Sequence, residues 1–158
     1  MLLLLFASPL PSFLPHGSSN CPCVDPYPVI MPGADDQCVG RLQDSSGVCY
    51  SADYGAGGCR AYDIVHTDEC ANSDTPPAWC ADRWCWVAPW DCLRPNQPSD
   101  FFRGAQIGNE TLLATAGLAE ANDCASGTGC STAPVSYSYE TCGNIDRFSY
   151  ERRLADSM

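Results

Sequence analysis

Lysine is absent from this chain of 158 residues, and histidine occurs only twice, as His16 and His66. Without lysine the chain has no amine for a Schiff base or for a lysine general base. The GxSxG, HExxH and P-loop patterns are also missing. Any Ser-His-Asp or Cys-His mechanism must use a histidine, and we expect His16 to lie in an N-terminal leader. A small secreted hydrolase is therefore a hypothesis that depends on His66 alone, and we predict that the chain is not an enzyme.

Basic residues are scarce. Eight arginines stand against nineteen Asp and Glu residues, which gives a net charge of −11 and an isoelectric point near 4.2. This balance argues against a nucleic-acid partner, because the phosphate backbone requires a basic surface. An anionic membrane surface is disfavoured for the same reason. The expected partners are protein subunits, with carbohydrate as a second candidate.

No long uninterrupted apolar run occurs. The apolar stretch at residues 1–14 is shorter than the roughly 20 residues of a transmembrane helix, and Pro9 and Pro11 break it. We therefore predict no transmembrane span. Residues 1–19 are interpreted either as an apolar leader that resembles a signal peptide, with a small-residue cleavage site at 17–19, or as a retained anchor segment.

Cysteine, in contrast, is abundant: twelve residues, close to the roughly 8–10% that marks a disulfide scaffold. The number is even, which suits complete pairing, but the connectivity stays open. No CxxC occurs, and the observed spacings argue against structural zinc, iron–sulfur and thioredoxin-like sites. We therefore predict structural disulfides, no metal and no cofactor. The cysteines predicted to pair are Cys21, Cys23, Cys38, Cys49, Cys59, Cys70, Cys80, Cys85, Cys92, Cys124, Cys130 and Cys142.

Thirteen glycines and thirteen prolines interrupt nearly every segment, which disfavours long helices and broad sheets. We predict a small disulfide-rich α+β fold with much irregular loop. A small antiparallel sheet should include 135–141, where Val, Tyr and Thr alternate with Ser and Glu. A short strand is expected near 48–50, and the tail 151–158 is expected to fray. Short helices are expected near 59–66, 76–85 and 110–121.

Three further kinds of site are candidates. Trp86, Trp90 or Tyr54 would line a carbohydrate-binding or small-ligand-binding face if they are exposed on one concave surface. Asp35-Asp36, Asp68-Glu69 and Asn144-x-Asp146 offer oxygen ligands for calcium but lack the spacing of an EF-hand loop. Asn109 begins a glycosylation sequon and is also a natural helix N-cap, two roles that compete for one side chain.

Four ordered motifs and one single residue, Asp63, carry a resemblance to a known family. In chain order they are Cys49-Tyr50, Asp53-Tyr54-Gly55-x-Gly57-x-Cys59, Asp63, Trp79-Cys80-x3-Trp84-Cys85-Trp86-Val87-x-Pro89-x2-Cys92, and Tyr137-Ser138-Tyr139-Glu140-Thr141-Cys142-Gly143-Asn144. The chain resembles, over about 21–148, a functionally uncharacterised cysteine-rich extracytoplasmic module of algae and other protists. That module occurs in secreted proteins and in the extracytoplasmic parts of membrane proteins such as channels and cyclases. The chain departs from the module at Ala88, where Asp is expected, and at about 104–133, which is interpreted as an insertion in a domain of residues 20–150.

The resemblance implies an oxidising, extracytoplasmic location: secreted, at the cell surface or in a thylakoid lumen. We expect a non-catalytic interaction module that serves as an accessory subunit of a membrane-associated assembly. A lumenal subunit of an algal photosynthetic complex and a cell-surface component are two forms of this hypothesis. The residues expected to contact a partner are Leu3, Leu4, Phe6, Phe101, Phe102, Leu112 and Leu113.

Overall fold

A computed structural model describes most of the cysteine-rich domain. The described residues are 15–24, 29–30, 38, 42–51, 53–89, 91–102, 104–108 and 132–158. Several predictions fall outside these residues. They concern the helix at 110–121, the apolar segment 1–14 with Leu3, Leu4 and Phe6, and the residues Trp90, Asn109, Leu112, Leu113, Cys124 and Cys130.

The described chain forms a small, disulfide-rich α+β fold, as the cysteine, glycine and proline content predicts. Its strands are β1 Gly17–Ser18, β2 Cys21–Pro22, β3 Val29–Ile30, β4 Cys85–Val87, β5 Gln97–Pro98, β6 Gln106–Gly108, β7 Thr132–Pro134 and β8 Ser136–Ser138. Its α-helices are α1 Asp63–His66, α2 Asp68–Ala71 and α3 Arg147–Ser157, and short 3-10 helices span Ala78–Ala81 and Glu140–Cys142. No described helix is long and apolar enough to cross a membrane.

The strands pair in three small antiparallel sheets, ordered β1-β2, β3-β6-β7 and β4-β8-β5. In the third sheet β8 is central, so that Cys85 lies opposite Ser138 and Trp86 lies opposite Tyr137. Side chains of an extended strand alternate between its two faces. Trp84, Trp86 and Ala88 accordingly enter an aromatic core, whereas Cys85 and Val87 enter a separate core made mostly of cysteines.

The aromatic core is the larger of the two, and we call it the aromatic cluster. Its rings meet mainly edge to face; the Trp84 and Trp86 centroids lie 4.7 Å apart at 72°. Such pairs add about 0.5–1.5 kcal/mol beyond the area that they bury. The buried rings of the aromatic cluster are Tyr50, Tyr54, Tyr62, Trp84, Trp86, Phe102 and Tyr139.

Five disulfides join ten cysteines, and the described residues include no free cysteine. Three of the disulfides close long stretches of chain, with sequence separations of 62, 71 and 83 residues, and two are local, with separations of 10 and 11. The pairs are Cys21–Cys92, Cys23–Cys85, Cys38–Cys49, Cys59–Cys142 and Cys70–Cys80. The fold is therefore held by covalent links between its beginning, middle and end.

Several predicted elements are shorter than expected. The helix predicted at 59–66 occupies only Asp63–His66, and the one predicted at 76–85 is a single 3-10 turn at Ala78–Ala81. The strand expected near 48–50 is reduced to one bridge between Gln43 and Cys49. The strand at 135–141 stops after Ser138, because the chain turns into a 3-10 helix that ends at the left-handed Gly143.

Two other expectations are corrected. The tail beyond residue 151 belongs to α3, whose first turn is capped by Asp146 accepting from the Ser149 amide at 2.9 Å. Phe102 does not lie on a contact surface, because its ring is 3% exposed and meets Tyr50 edge-on at 5.0 Å. The serine face of β8 is buried as well, since Ser138 lies beside Cys85 and donates to the Pro95 carbonyl at 2.7 Å.

The first described residues are integrated into the domain. The Pro15 carbonyl accepts from the Cys59 amide at 2.8 Å, and the His16 carbonyl accepts from the Cys23 amide at 3.0 Å. The Ser18 amide donates to Thr141 Oγ1 at 2.9 Å. The domain boundary predicted after residue 19 therefore falls inside the fold, and cleavage at 17–19 would remove strand β1.

Thiol titration of the denatured, unreduced protein tests the disulfide framework. We expect at most two free thiols per chain, because five disulfides use ten of the twelve cysteines. The same titration after complete reduction gives the total of twelve and serves as the control. Three or more thiols before reduction would contradict the pairing.

Gly55→Ala should destabilise the fold more than Gly57→Ala. Both glycines have a left-handed backbone, with φ of +73° and +78°, which costs a side chain about 1–2 kcal/mol. A Cβ on Gly55 would also overlap the Trp86 indole, whereas one on Gly57 would meet nothing within 4 Å. We therefore expect a further loss of about 1–3 kcal/mol for Gly55→Ala. Urea unfolding of the oxidised variants measures the difference, and equal losses would disprove the close contact with Trp86.

Candidate functional site

A carboxylate is buried inside the aromatic cluster. Asp63, at the start of α1, is 5% exposed, and its two oxygens accept from different rings. The Tyr54 hydroxyl donates to Oδ1 at 2.6 Å, and Trp84 Nε1 donates to Oδ2 at 2.8 Å. Burial raises the pKa of Asp63 above its usual value, and these two hydrogen bonds oppose that rise. Burial and the neighbouring Asp63 also raise the pKa of Tyr54, so the Tyr54 hydroxyl keeps the proton that it donates to Asp63.

His66 does not complete a catalytic arrangement with this carboxylate. Its exposed ring packs on Tyr54, with centroids 5.2 Å apart. Within the described part of the chain, no hydrogen bond joins His66 to a carboxylate or to a hydroxyl nucleophile. A Ser-His-Asp mechanism requires both of these bonds, so the geometry gives the hydrolase hypothesis no support.

Four sulfur atoms form a compact group, which we call the sulfur cluster: Cys23, Cys59, Cys85 and Cys142. All four Sγ atoms lie within 4.8 Å of one another. They belong to two disulfides that pack side by side, with Sγ of Cys23 3.7 Å from Sγ of Cys59 and Sγ of Cys85 3.8 Å from Sγ of Cys142. Cys59, Cys85 and Cys142 are buried, and Cys23 is partly buried.

The sulfur cluster is the only group of three or more His, Cys, Asp or Glu side chains, among the residues that the structure describes, with the compactness of a metal site. The oxygens considered for calcium do not converge in this way. Asp68 and Glu69 lie exposed on α2, and the Asn144 side chain is engaged with the Arg83 amide and with Asp82. The acidic pair at 35–36 lies outside the described residues.

Helix α3 carries two different faces. On one face the Phe148 ring meets Trp79 at 5.0 Å, Ser149 hydrogen-bonds the Tyr137 hydroxyl at 2.7 Å, and both contacts fix the helix on the domain. On the other face Tyr150 and Leu154 lie four residues apart, and Met158, the C-cap residue just after the helix, follows at the same interval. These three side chains, the α3 stripe, are 60%, 47% and 101% exposed.

Beside this helix the Arg152 guanidinium lies over two aromatic rings, 5.5 Å from the centroid of Phe101 and 5.3 Å from that of Phe148. Phe101, which we expected at a contact surface, is 42% exposed. Cation–π contacts at exposed sites contribute about 0.5–1 kcal/mol. This side of α3 therefore combines an arginine with one exposed ring, Phe101, and one partly buried ring, Phe148.

A shallow cleft of about 340 Å³ lies on the same side of the domain. Its walls combine one aromatic ring, amides and charges of both signs, which are groups that sugars and small polar ligands use. Burial raises the pKa of Glu140 in this cleft. The lining residues are Pro95, Asn96, Gln97, Glu140, Ile145, Asp146, Arg147, Tyr150 and Arg153.

Two of the aromatic residues predicted for a carbohydrate site, Trp86 and Tyr54, are not in this cleft. Trp86 is 2% exposed and Tyr54 is 6% exposed, because both rings belong to the aromatic cluster. Trp79 and Trp84 are buried as well, and Trp90 lies outside the described residues. In the sequence, the only sign that Trp84 and Trp86 belong to the aromatic cluster is their Trp-x-Trp spacing, which places two rings on the same face of a strand.

Neither the sulfur cluster nor the Asp63 network was recognised from the sequence. Spacing reveals ligands that are neighbours along the chain, whereas Cys23, Cys59, Cys85 and Cys142 come from four distant segments. For Asp63 the only signal was its position between the Tyr54 and Trp84 motifs.

Comparison of the chain with protein-family models, with curated proteins and with solved structures finds no match. The resemblance to the cysteine-rich module of algae and protists therefore stays a prediction. The function has to be argued from the described surfaces themselves.

Asp63→Ala and Asp63→Asn should differ sharply in stability. Alanine leaves the Tyr54 hydroxyl and Trp84 Nε1 without their acceptor, at about 1–3 kcal/mol for each buried donor. Asparagine keeps the shape and still accepts from Trp84, so that only the Tyr54 hydroxyl loses its acceptor, and the loss should be smaller. Urea unfolding measures both, and equal losses would contradict the network.

The same network predicts a pH dependence. The pKa of Asp63 is raised above its ordinary value of 3.8 in the folded state. Between pH 3.8 and that raised pKa, the folded chain therefore binds more protons than the unfolded chain. The free energy of unfolding therefore falls as the pH rises through that window. Asp63→Asn should remove this part of the fall, whereas Asp74→Asn, at an exposed position, should leave it unchanged. An unaltered profile in Asp63→Asn would refute the assignment.

Proposed function

We propose that this chain is a non-catalytic, disulfide-stabilised interaction module that serves as an accessory subunit of a membrane-associated assembly. The observation that carries the proposal is the α3 stripe. A helix anchored along one face presents Tyr150 and Leu154 to solvent along the other, and the exposed Met158 follows at its C-terminal end. Exposed apolar side chains in a contiguous row mark interaction sites.

Charge supports the choice of a protein partner. Helix α3 holds Arg147, Arg152 and Arg153 against Glu151 and Asp156, so its net charge is +1, while the whole chain carries −11. Tyrosine and arginine are the residue types that most often dominate binding energy at protein interfaces. The fitting partner is a subunit with an apolar groove for the α3 stripe and carboxylates on the rim of that groove.

The disulfides place the chain in an oxidising environment, since bonds of this number do not persist in a reducing compartment. Within such environments we propose an extracytoplasmic location: secreted, at the cell surface or in a thylakoid lumen. A lumenal subunit of an algal photosynthetic complex and a cell-surface component are the two specific forms of the proposal. Its acidic surface suits protein contacts better than contacts with anionic lipid or nucleic acid.

The cleft beside α3 favours a second candidate, a binding module for carbohydrate or another small polar ligand. Asn96, Gln97 and Glu140 offer hydrogen bonds there, and Tyr150 offers a ring for stacking. A double substitution in the cleft distinguishes the two candidate functions. Asn96→Ala with Gln97→Ala should abolish sugar binding on a glycan array but leave a subunit contact through the α3 stripe intact.

Size-exclusion of the protein from its native source tests the subunit proposal. We expect the native chain to elute with a larger assembly, and Tyr150→Ala with Leu154→Ala to shift it to the monomer position. Truncating two anchors of an interface should cost about 2 kcal/mol or more of binding free energy. Both side chains are exposed, so the free energy of unfolding should stay nearly unchanged.

Val65→Ala with Leu93→Ala is the matched control, because these residues are equally apolar and 69% and 81% exposed at other places on the surface. The control should still elute with the assembly. Recovery of the unaltered native protein only as a free monomer would remove the subunit proposal.

A further inference from the structure

We propose that the sulfur cluster is also a metal site, in which the four thiolates of the reduced chain bind one zinc ion. The same four segments would then be joined in two alternative ways, by two disulfides or by one metal ion. The proposal rests on the cysteine geometry and is independent of the function proposed above.

The first argument is distance. Zinc bound by four thiolates is tetrahedral with Zn–S bonds of about 2.3 Å, which sets neighbouring sulfurs about 3.8 Å apart. The contacts between the two disulfides already have this separation, at 3.7 Å for Cys23 with Cys59 and 3.8 Å for Cys85 with Cys142. The remaining sulfurs lie within 4.8 Å of one another.

The second argument is the movement that the change requires. When the two S–S bonds are broken, Cys23 must separate from Cys85, and Cys59 from Cys142, to the same distance of about 3.8 Å. The Cα atoms of these pairs already stand 5.6 and 5.5 Å apart. Rotation of the side chains can therefore bring the four sulfurs to the corners of a tetrahedron while the backbone stays in place.

The third argument is the way in which the ligands are held. Cys85 belongs to β4, which pairs with β8. Cys142 ends the 3-10 helix that follows β8. The Cys23 amide donates a hydrogen bond to the His16 carbonyl, and the Cys59 amide donates one to the Pro15 carbonyl. Each ligand is thus positioned by backbone hydrogen bonds that do not depend on the disulfides.

The chemistry balances as two steps. A dithiol or phosphine reductant supplies two electrons to each disulfide, so two equivalents convert Cys23–Cys85 and Cys59–Cys142 to four thiols and are themselves oxidised. Zinc then replaces the four thiol protons, which are released to solvent. Thiolate is the ligand that zinc favours among the groups available here.

Cobalt binding and a protection map test the proposal. The purified chain is reduced with a phosphine, freed of reductant without oxygen, and titrated with Co²⁺. We expect the visible absorption of tetrahedral thiolate-bound cobalt, saturating at one equivalent and bleached by Zn²⁺. Alkylation of the zinc-loaded chain followed by mass spectrometry should leave Cys23, Cys59, Cys85 and Cys142 unmodified, while the other cysteines react.

Paired variants provide the control. Cys70→Ser with Cys80→Ser removes a disulfide outside the sulfur cluster and should keep the cobalt spectrum. Cys23→Ser with Cys85→Ser should lose it. The protection map of the unaltered chain decides the matter even where a variant fails to fold. Equal alkylation of all cysteines, or protection of a set that excludes this group, would overturn the proposal.

Discussion

The pairing of β4 with β8 is the contact on which the rest of the structure depends. Because side chains alternate along a strand, segment 84–88 separates two cores: aromatic rings on one side and disulfides on the other. Neither core is large. Trp84 reaches the buried Asp63 and Cys85 reaches the sulfur cluster, so one short strand connects the polar network with the covalent one.

Covalent links explain how so little regular structure holds together. In the chain-entropy account, a disulfide that closes 60 to 80 residues stabilises the fold by about 4 kcal/mol, mainly by restricting the unfolded chain. Three bonds of this kind occur, but their loops overlap, so their contributions do not simply add. The aromatic cluster then selects one arrangement, because hydroxyl and indole donors such as Tyr54 and Trp84 need an acceptor inside it.

The sequence was a good guide to features that are local or compositional. The disulfide-rich α+β class follows from the cysteine, glycine and proline content. The Trp-x-Trp spacing at 84–86 is typical of a strand, but the helix predicted at 76–85 overlapped this segment, and strand β4 was missed. Tertiary features were not accessible in the same way. Phe102 and Ser138 are buried because of what lies across from them, and α3 forms where a frayed tail was expected because Phe148 and Ser149 find partners on the domain. Metal sites were disfavoured from sequence spacing, which cannot reveal cysteines that converge from four segments.

The surface of α3 and the sulfur cluster are supported by different parts of the fold, so they can serve separate purposes. Phe148 packs against Trp79, and Trp79 packs on the local disulfide Cys70–Cys80 rather than on the sulfur cluster. The contact that anchors Phe148 therefore does not pass through the four sulfurs of the sulfur cluster. A helix held rigidly before binding loses less conformational entropy when a partner arrives.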